Sequence, residues 1–101
     1  MRVVEPAADL AVALAVASAA GDLLLPPHTV AIGEVGLAGE VRQVTGLRRR
    51  LAEATRLGFR HALVPPESDL SGASVPPPEM RVHVVPDLAA ALDWLVPVRT
   101  E

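Results

Sequence analysis

Arginine is the residue type in this 101-residue chain whose number and spacing most clearly point to chemistry. All nine basic residues are arginines, and six of them fall between positions 42 and 60. Guanidinium groups bind phosphate oxygens in a bidentate manner, so such a cluster is typical of a surface that contacts a phosphate backbone. Within the stretch only Glu53 opposes them, which gives a local charge of +5 on a chain whose total charge is −3.

The directions of these arginines follow from a predicted helix. Apolar residues recur at helical spacing at Leu47, Leu51, Ala54 and Leu57, and Gly58 is a natural end. On a helical wheel Arg48, Arg49 and Arg56 point away from this apolar arc, whereas Arg50 falls inside it. Arg42 precedes this helix and Arg60 follows it. Together with the three outward residues they form the set that we predict to contact the phosphates of DNA: Arg42, Arg48, Arg49, Arg56 and Arg60.

Two interpretations of this set remain open. In the first, the arginines form a solvated helix face on which Arg49 and Arg56 pair weakly with Glu53. In the second, they bind the DNA backbone without sequence preference, which is possible even for a chain of negative net charge. The only aromatic residues, Phe59 and Trp94, are predicted to lie in the core, so base stacking is poorly supported.

Several other kinds of site are disfavoured by residue types. The chain has no cysteine, which excludes a Cys-ligated zinc site, a disulfide framework and a thiol nucleophile. It has no P-loop, and no lysine is present to activate a serine. The three histidines stand singly in the sequence and are interpreted as structural: His28, His61 and His83. We therefore expect no cofactor in this chain.

The pattern of apolar runs predicts one α/β domain over residues 1–101, with a mixed sheet packed with helices and a flexible tail at 98–101. Helices are predicted over 7–20, 47–57 and 87–95, a hairpin over 29–35 and 40–44, strands over 61–64 and 81–85, and a polar loop over 67–79. The apolar run 10–20 is too short to span a bilayer, and Glu5 and Asp9 cancel the positive charge that an export signal needs.

Three segments carry a resemblance to a known family: Glu5 to Ser18 (EPAADLAVALAVAS), Val30 to Arg42 (VAIGEVGLAGEVR), and Arg50 through Gly58-Phe59 to Pro65. The chain resembles the C-terminal Lon-protease-like domain of the RadA (Sms) family of bacterial DNA repair proteins. The resemblance implies a two-layer Lon-like fold, shortened at the N-terminus because little precedes Glu5, and an uncovered sheet edge would favour self-association.

The resemblance also implies a degenerate catalytic dyad. Active Lon proteases carry a serine where this chain has Ala7 and a lysine where it has Arg50. Alanine has no nucleophile and arginine stays protonated, so we expect no peptidase activity. Arg50 is predicted to contact the start of the first helix instead.

The resemblance to the RadA family also implies a function for this chain. The chain is expected to be a cytoplasmic, non-catalytic scaffold that binds DNA and supports a hexameric ring, while an ATP-dependent branch-migration motor lies outside this chain. Two alternatives remain: a surviving ATP-independent Lon-like serine peptidase, and a pure oligomerisation module without DNA contact.

Overall fold

The computed structural model describes residues 6–66 and 79–97. The described elements, in chain order, are a 3-10 turn at Pro6–Ala8, α1 (Asp9–Gly21), β1 (Leu23–Leu24), β2 (Thr29–Ala31), β3 (Glu34–Val35), β4 (Val41–Arg42), α2 (Leu47–Arg56), β5 (His61–Val64), β6 (Arg81–Val84), α3 (Leu88–Leu92) and β7 (Val96–Pro97). The predicted tail at 98–101, and the predicted loop 67–79 apart from Glu79, lie outside the described residues.

A three-stranded parallel sheet forms the centre of the fold, with β5 between β2 and β6. The apolar residues of β5, Ala62, Leu63 and Val64, have no exposed surface. A parallel strand of this kind is covered on both faces, which explains why its sequence is an apolar run and not an alternating pattern. The predicted α/β class is confirmed.

The alternation of side chains along β5 separates two core clusters. Ala62 and Val64 belong to a cluster with the buried residues of α2, whereas Leu63 belongs to a second cluster with the buried residues of α1 and α3. Because successive residues of a strand point to opposite faces, α2 covers one face and α1 and α3 cover the other. The described residues therefore form three layers, which differs from the expected two.

The predicted hairpin is only partly correct. Glu34–Val35 and Val41–Arg42 do pair as antiparallel strands. Thr29–Ala31, the other part of the predicted hairpin, instead pairs in parallel with β5. Within residues 6–66 and 79–97 the strands fall into one parallel and two antiparallel sheets, whereas the sequence pattern predicts a single mixed sheet.

Gly33 marks the point where the chain leaves the central sheet for the hairpin. Its backbone N–H donates to the carbonyl of Ala7, while its own carbonyl accepts from the N–H of Leu10. A Cβ atom at position 33 would lie 2.8 Å from Cγ1 of Val41, so only glycine allows this approach. These hydrogen bonds fix the start of α1 against the central sheet.

The segment after α1 and the last described strand form a small sheet that the sequence pattern does not predict. Leu23 and Leu24 of β1 pair antiparallel with Pro97 and Val96 of β7. Strands of two residues are too short to show an alternating pattern. Helix α1 is also shifted from its predicted bounds of 7–20, because Pro6–Ala8 form a 3-10 turn before it.

Candidate nucleic-acid interface

Helix α2 carries the central part of the arginine cluster, and its ends are fixed by two glycines. Gly46 precedes the helix with a φ of 75°, and Gly58 follows it with a φ of 102°. The N–H of Phe59 donates to the carbonyl of Ala54, and the N–H of Gly58 donates to that of Thr55. These two bonds form a Schellman motif, as the predicted glycine end requires.

The buried face of α2 consists of Leu47, Leu51 and Ala54. Leu57, predicted as the fourth member of this face, is instead 67% exposed, because the helix ends at Arg56 and the chain then turns. The apolar arc is thus narrower than predicted.

Three arginines lie on the outward side of α2, as predicted. Arg48 and Arg49 are exposed, and the Arg56 side chain is 74% exposed. Arg49 and Arg56 are seven positions apart, which places them on one side of the helix with about 10 Å of axial rise between them. Two guanidinium groups therefore face solvent in the same direction.

Glu53 lies beside this pair and contacts one member of it. Its Oε1 is 3.5 Å from Nη1 of Arg56, and both side chains are more than half exposed. Arg49, Arg50, Glu53 and Gly46 line an open hollow of about 570 Å³ next to the helix. An exposed pair of this kind contributes little to stability, so Arg56 can exchange Glu53 for another anion at small cost.

Arg50 does not occupy the position that the helical wheel predicts. It is half-buried at the edge of the apolar arc, and its Nε–H donates to the carbonyl of Thr45, 3.0 Å away in the turn before α2. Because Leu57 is not part of the buried face, position 50 flanks that face instead of lying within it. The expected contact between Arg50 and the start of the first helix stays a prediction.

The other dyad position, Ala7, lies in the core. It is 6% exposed and belongs to the same cluster as Leu47, Leu51 and Ala54 of α2. The 3-10 turn before α1 and the buried face of α2 are therefore in one apolar cluster, with Arg50 at its margin.

Arg42 and Arg60 lie outside α2. Arg42 is on β4, where its Nη2 is 2.8 Å from Oε2 of Glu40. A hydrogen bond at the Glu40 backbone, together with the one from Arg42, lowers the pKa of the Glu40 carboxyl below its ordinary 4.5. Arg60 is exposed in the loop after α2, and its backbone N–H donates to the carbonyl of His28. The predicted set thus separates into three residues on α2 and two beyond it.

Two histidines that the sequence analysis interprets as single residues form a pair. His61 on β5 and His83 on β6 stack with ring centroids 5.3 Å apart, and the His83 ring lies 4.6 Å from that of Trp94. The pair arises from the parallel pairing of two strands that each carry a histidine, which the spacing in the sequence does not show. His28 is separate, in the turn before β2, with a φ of 63°.

The predicted core aromatics are half-buried. Phe59 packs against the cluster beneath α2, and Trp94 packs against the cluster beneath α1 and α3. Across residues 6–66 and 79–97, every helix is too short or too polar to cross a membrane.

Several bacterial DNA repair proteins are similar to this chain over most of its length. The DNA repair protein RadA of Mycolicibacterium smegmatis is 51% identical over 95 residues, and that of Mycobacterium tuberculosis is 51% identical over 98 residues. RadA of Escherichia coli is 43% identical over 95 residues. These matches cover 94%, 97% and 91% of this chain, which itself spans only 19% of each relative.

A family model gives the second similarity. Residues 4–68 match the family described as subunit ChlI of Mg-chelatase, which is more than half of the chain. The matched range includes α1, the β3–β4 hairpin, α2 and β5. The chain therefore belongs to the family described as subunit ChlI of Mg-chelatase, and it is a homologue of part of the DNA repair protein RadA.

Proposed function

We propose that this chain is a non-catalytic module of a RadA-type DNA repair protein, and that it binds the DNA backbone through the outward arginines of α2. The observation that supports the proposal best is the position of three exposed arginines on α2: Arg49 and Arg56 lie on the side opposite the core contacts, and Arg48 lies at its flank. The homology to RadA proteins supports a role in DNA repair.

The contact is with phosphates and has no base specificity. Guanidinium groups match phosphate oxygens in geometry and charge, and such contacts position a protein on DNA without reading its sequence. Phe59 and Trp94, the only aromatic residues, both pack against core clusters and offer no platform for stacked bases.

We further propose that the domain is a Lon-like fold without peptidase activity, located in the cytoplasm. Ala7 and Arg50 stand where the dyad serine and lysine would be needed, and neither side chain supplies a nucleophile or a base. The ATP-dependent branch-migration motor would lie in the remainder of a full-length protein, which this chain would support within a hexameric ring. Cleavage of casein by the pure chain would contradict this part of the proposal.

Fluorescence anisotropy with labelled duplex DNA at low salt tests the DNA contact. Arg49→Ala removes one charge from α2, and Arg81→Ala is the matched control because Arg81 is also exposed, on β6. We expect Arg49→Ala to weaken binding several-fold and Arg81→Ala to leave it nearly unchanged. Equal effects of the two variants would show that net charge, not the α2 surface, governs binding.

A second candidate is assembly without DNA contact. It is favoured by a fully exposed leucine, Leu37, at the turn of the β3–β4 hairpin. Light scattering after size-exclusion chromatography, with and without DNA, separates the two candidates, because a pure assembly module keeps the same mass in both samples.

A further inference from the structure

Leu37 is completely exposed at the tip of the β3–β4 hairpin. Single exposed leucines are common on protein surfaces and need no function by themselves. Leu37 differs from such residues because the turn that carries it is held in place from several directions.

Hydrogen bonds hold the turn from within. The N–H of Gly36 donates to the carbonyl of Glu40, that of Gly39 donates to the carbonyl of Gly36, and that of Ala38 donates to the Glu40 carboxylate. The carboxylate is in turn paired with Arg42. The Glu40 side chain covers Gly36 so closely that a Cβ atom there would overlap it.

The turn is also anchored to the body of the domain. The N–H of Leu88, at the start of α3, donates to the carbonyl of Gly39 over 2.7 Å, and the N–H of Val41 donates to the carbonyl of Pro86. An apolar side chain presented by an ordered turn loses little conformational entropy when a partner buries it.

An open apolar hollow of about 240 Å³ lies elsewhere on the domain, between α1 and the β2 edge of the central sheet. Its walls include Ala11, Ala15, Leu25, Val30, Phe59 and Leu95. The two hydroxyls among the lining residues are already bonded, that of Ser18 to the carbonyl of Leu23 and that of Thr29 to the carbonyl of Pro27. The hollow therefore suits an apolar side chain and not a polar ligand.

We propose that Leu37 of one copy of the chain inserts into this hollow of a second copy. The hollow exceeds the roughly 150 Å³ cavity that truncation of one core leucine leaves, so it has room for a leucine side chain. Because the two surfaces differ, the contact is head-to-tail, and its repetition generates a ring or a filament.

The charges beside the two surfaces are complementary. The hairpin segment 34–42 contains two glutamates and one arginine. The segment 56–60, which includes Phe59 in the wall of the hollow, contains two arginines and no acidic residue. Docking therefore brings a net negative segment toward a positive one, which favours this relative orientation.

The contact is weak when it acts alone. One inserted leucine and its rim bury less surface than the more than 1,000 Å² typical of a stable interface. Burial of a leucine corresponds to about 10- to 100-fold in affinity, so a single contact populates mainly at high protein concentration. The inference rests on the assembly part of the proposed function and is independent of DNA binding.

Cysteine cross-linking tests the contact, because the chain has no cysteine of its own. Ala38→Cys is placed beside Leu37 and Ala15→Cys at the hollow, both at exposed positions. The two variants are mixed at high concentration under mild oxidation, and the rate of heterodimer formation is measured. The control mixture combines Ala38→Cys with Val84→Cys, since Val84 is 59% exposed on β6 and is not among the residues that line the hollow.

We expect the Ala38–Ala15 pair to cross-link at least tenfold faster than the control pair, and addition of Leu37→Asp to the Ala38→Cys chain to abolish the difference. Val84→Asp in the same Ala38→Cys chain also places a charge at an exposed apolar residue, but one outside both the hairpin and the hollow, and it leaves the rate unchanged. Equal rates for the two pairs, or no effect of Leu37→Asp, would overturn the inference.

Sedimentation of the unmodified chain tests separately whether the Leu37 contact is wrong or whether the chain does not assemble at all. Self-association without faster Ala38–Ala15 cross-linking overturns the Leu37 contact and leaves assembly through another face standing. A monomer at every concentration up to about the millimolar range overturns both.

Discussion

The Nδ1 atom of His61 lies 3.1 Å from the Nε2 atom of His83, across two neighbouring parallel strands and 22 positions apart in the chain. At this distance one ring donates a hydrogen bond and the other accepts it. Both rings cannot carry two protons and keep this contact. Protonation of His83 therefore affects the contact between β5 and β6 in the central sheet.

The stability of the fold is expected to decrease in mild acid. Burial lowers the pKa of His83 below its ordinary value of 6.5, and the nearby His61 and Arg81 lower it further. The unfolded chain then binds a proton that the folded chain resists, so the free energy of unfolding is highest above pH 6.5 and falls as the pH drops below it. Urea denaturation at pH 7.5 and 5.5 measures the change.

His83→Gln is the control for this effect, because glutamine keeps a polar side chain that does not titrate. The variant should lose less stability than the wild type between the two pH values. An identical decrease in both proteins would show that the pair does not contribute.

Truncation of Leu51 is expected to destabilise the fold strongly. Leu51 is 1% exposed in the cluster beneath α2, and removal of a buried leucine side chain costs about 2–5 kcal/mol. Leu57→Ala makes the same chemical change at a residue that is 67% exposed, and its cost is expected to be below about 0.5 kcal/mol. Chemical denaturation of both variants tests where the apolar face of α2 ends. Similar decreases in stability would show that Leu57 is buried as Leu51 is.

Leu51 and Leu57 also show which parts of α2 can be predicted from the sequence and which cannot. Periodicity identifies the helix and the buried positions 47, 51 and 54, because these lie well inside a regular element. It fails at Leu57 because a helix end changes the direction of the chain without changing the apolar pattern. Arg50 is misplaced for the same reason, since its assignment depends on an arc that includes Leu57.

Contacts between distant segments are the other part that the sequence does not reveal. The pattern of Thr29–Ala31 is compatible with a hairpin strand and with a parallel strand, and only the position of β5 decides between them. The His61 and His83 pair depends on that same strand order. Residues on a single helix, such as the outward arginines of α2, are placed correctly because their relative directions are set locally.

Gly58 is expected to resist substitution because of its backbone conformation alone. Its φ of 102° is unfavourable for residues with a side chain, although a Cβ atom would have open space around it. Gly58→Ala should therefore destabilise the domain by about 1 kcal/mol, and Gly58→Asn by less, because asparagine tolerates the left-handed region better. Thermal denaturation gives the order of stability of the wild type and the two variants. An alanine variant as stable as the wild type would show that the backbone conformation at Gly58 does not require glycine.

The salt dependence of DNA binding tests the central claim most directly. The equilibrium constant for duplex DNA is measured from low to physiological salt for the wild type and for a variant with Arg48→Ala, Arg49→Ala and Arg56→Ala combined, with Arg81→Ala as a control outside α2. Removal of each arginine that binds a phosphate should reduce the slope of log K against log salt by about 0.9, so the triple variant should bind more weakly and with a shallower slope than the control. A slope unchanged by the triple substitution, or no binding by the folded wild-type chain at low salt, would contradict a DNA-binding role for α2.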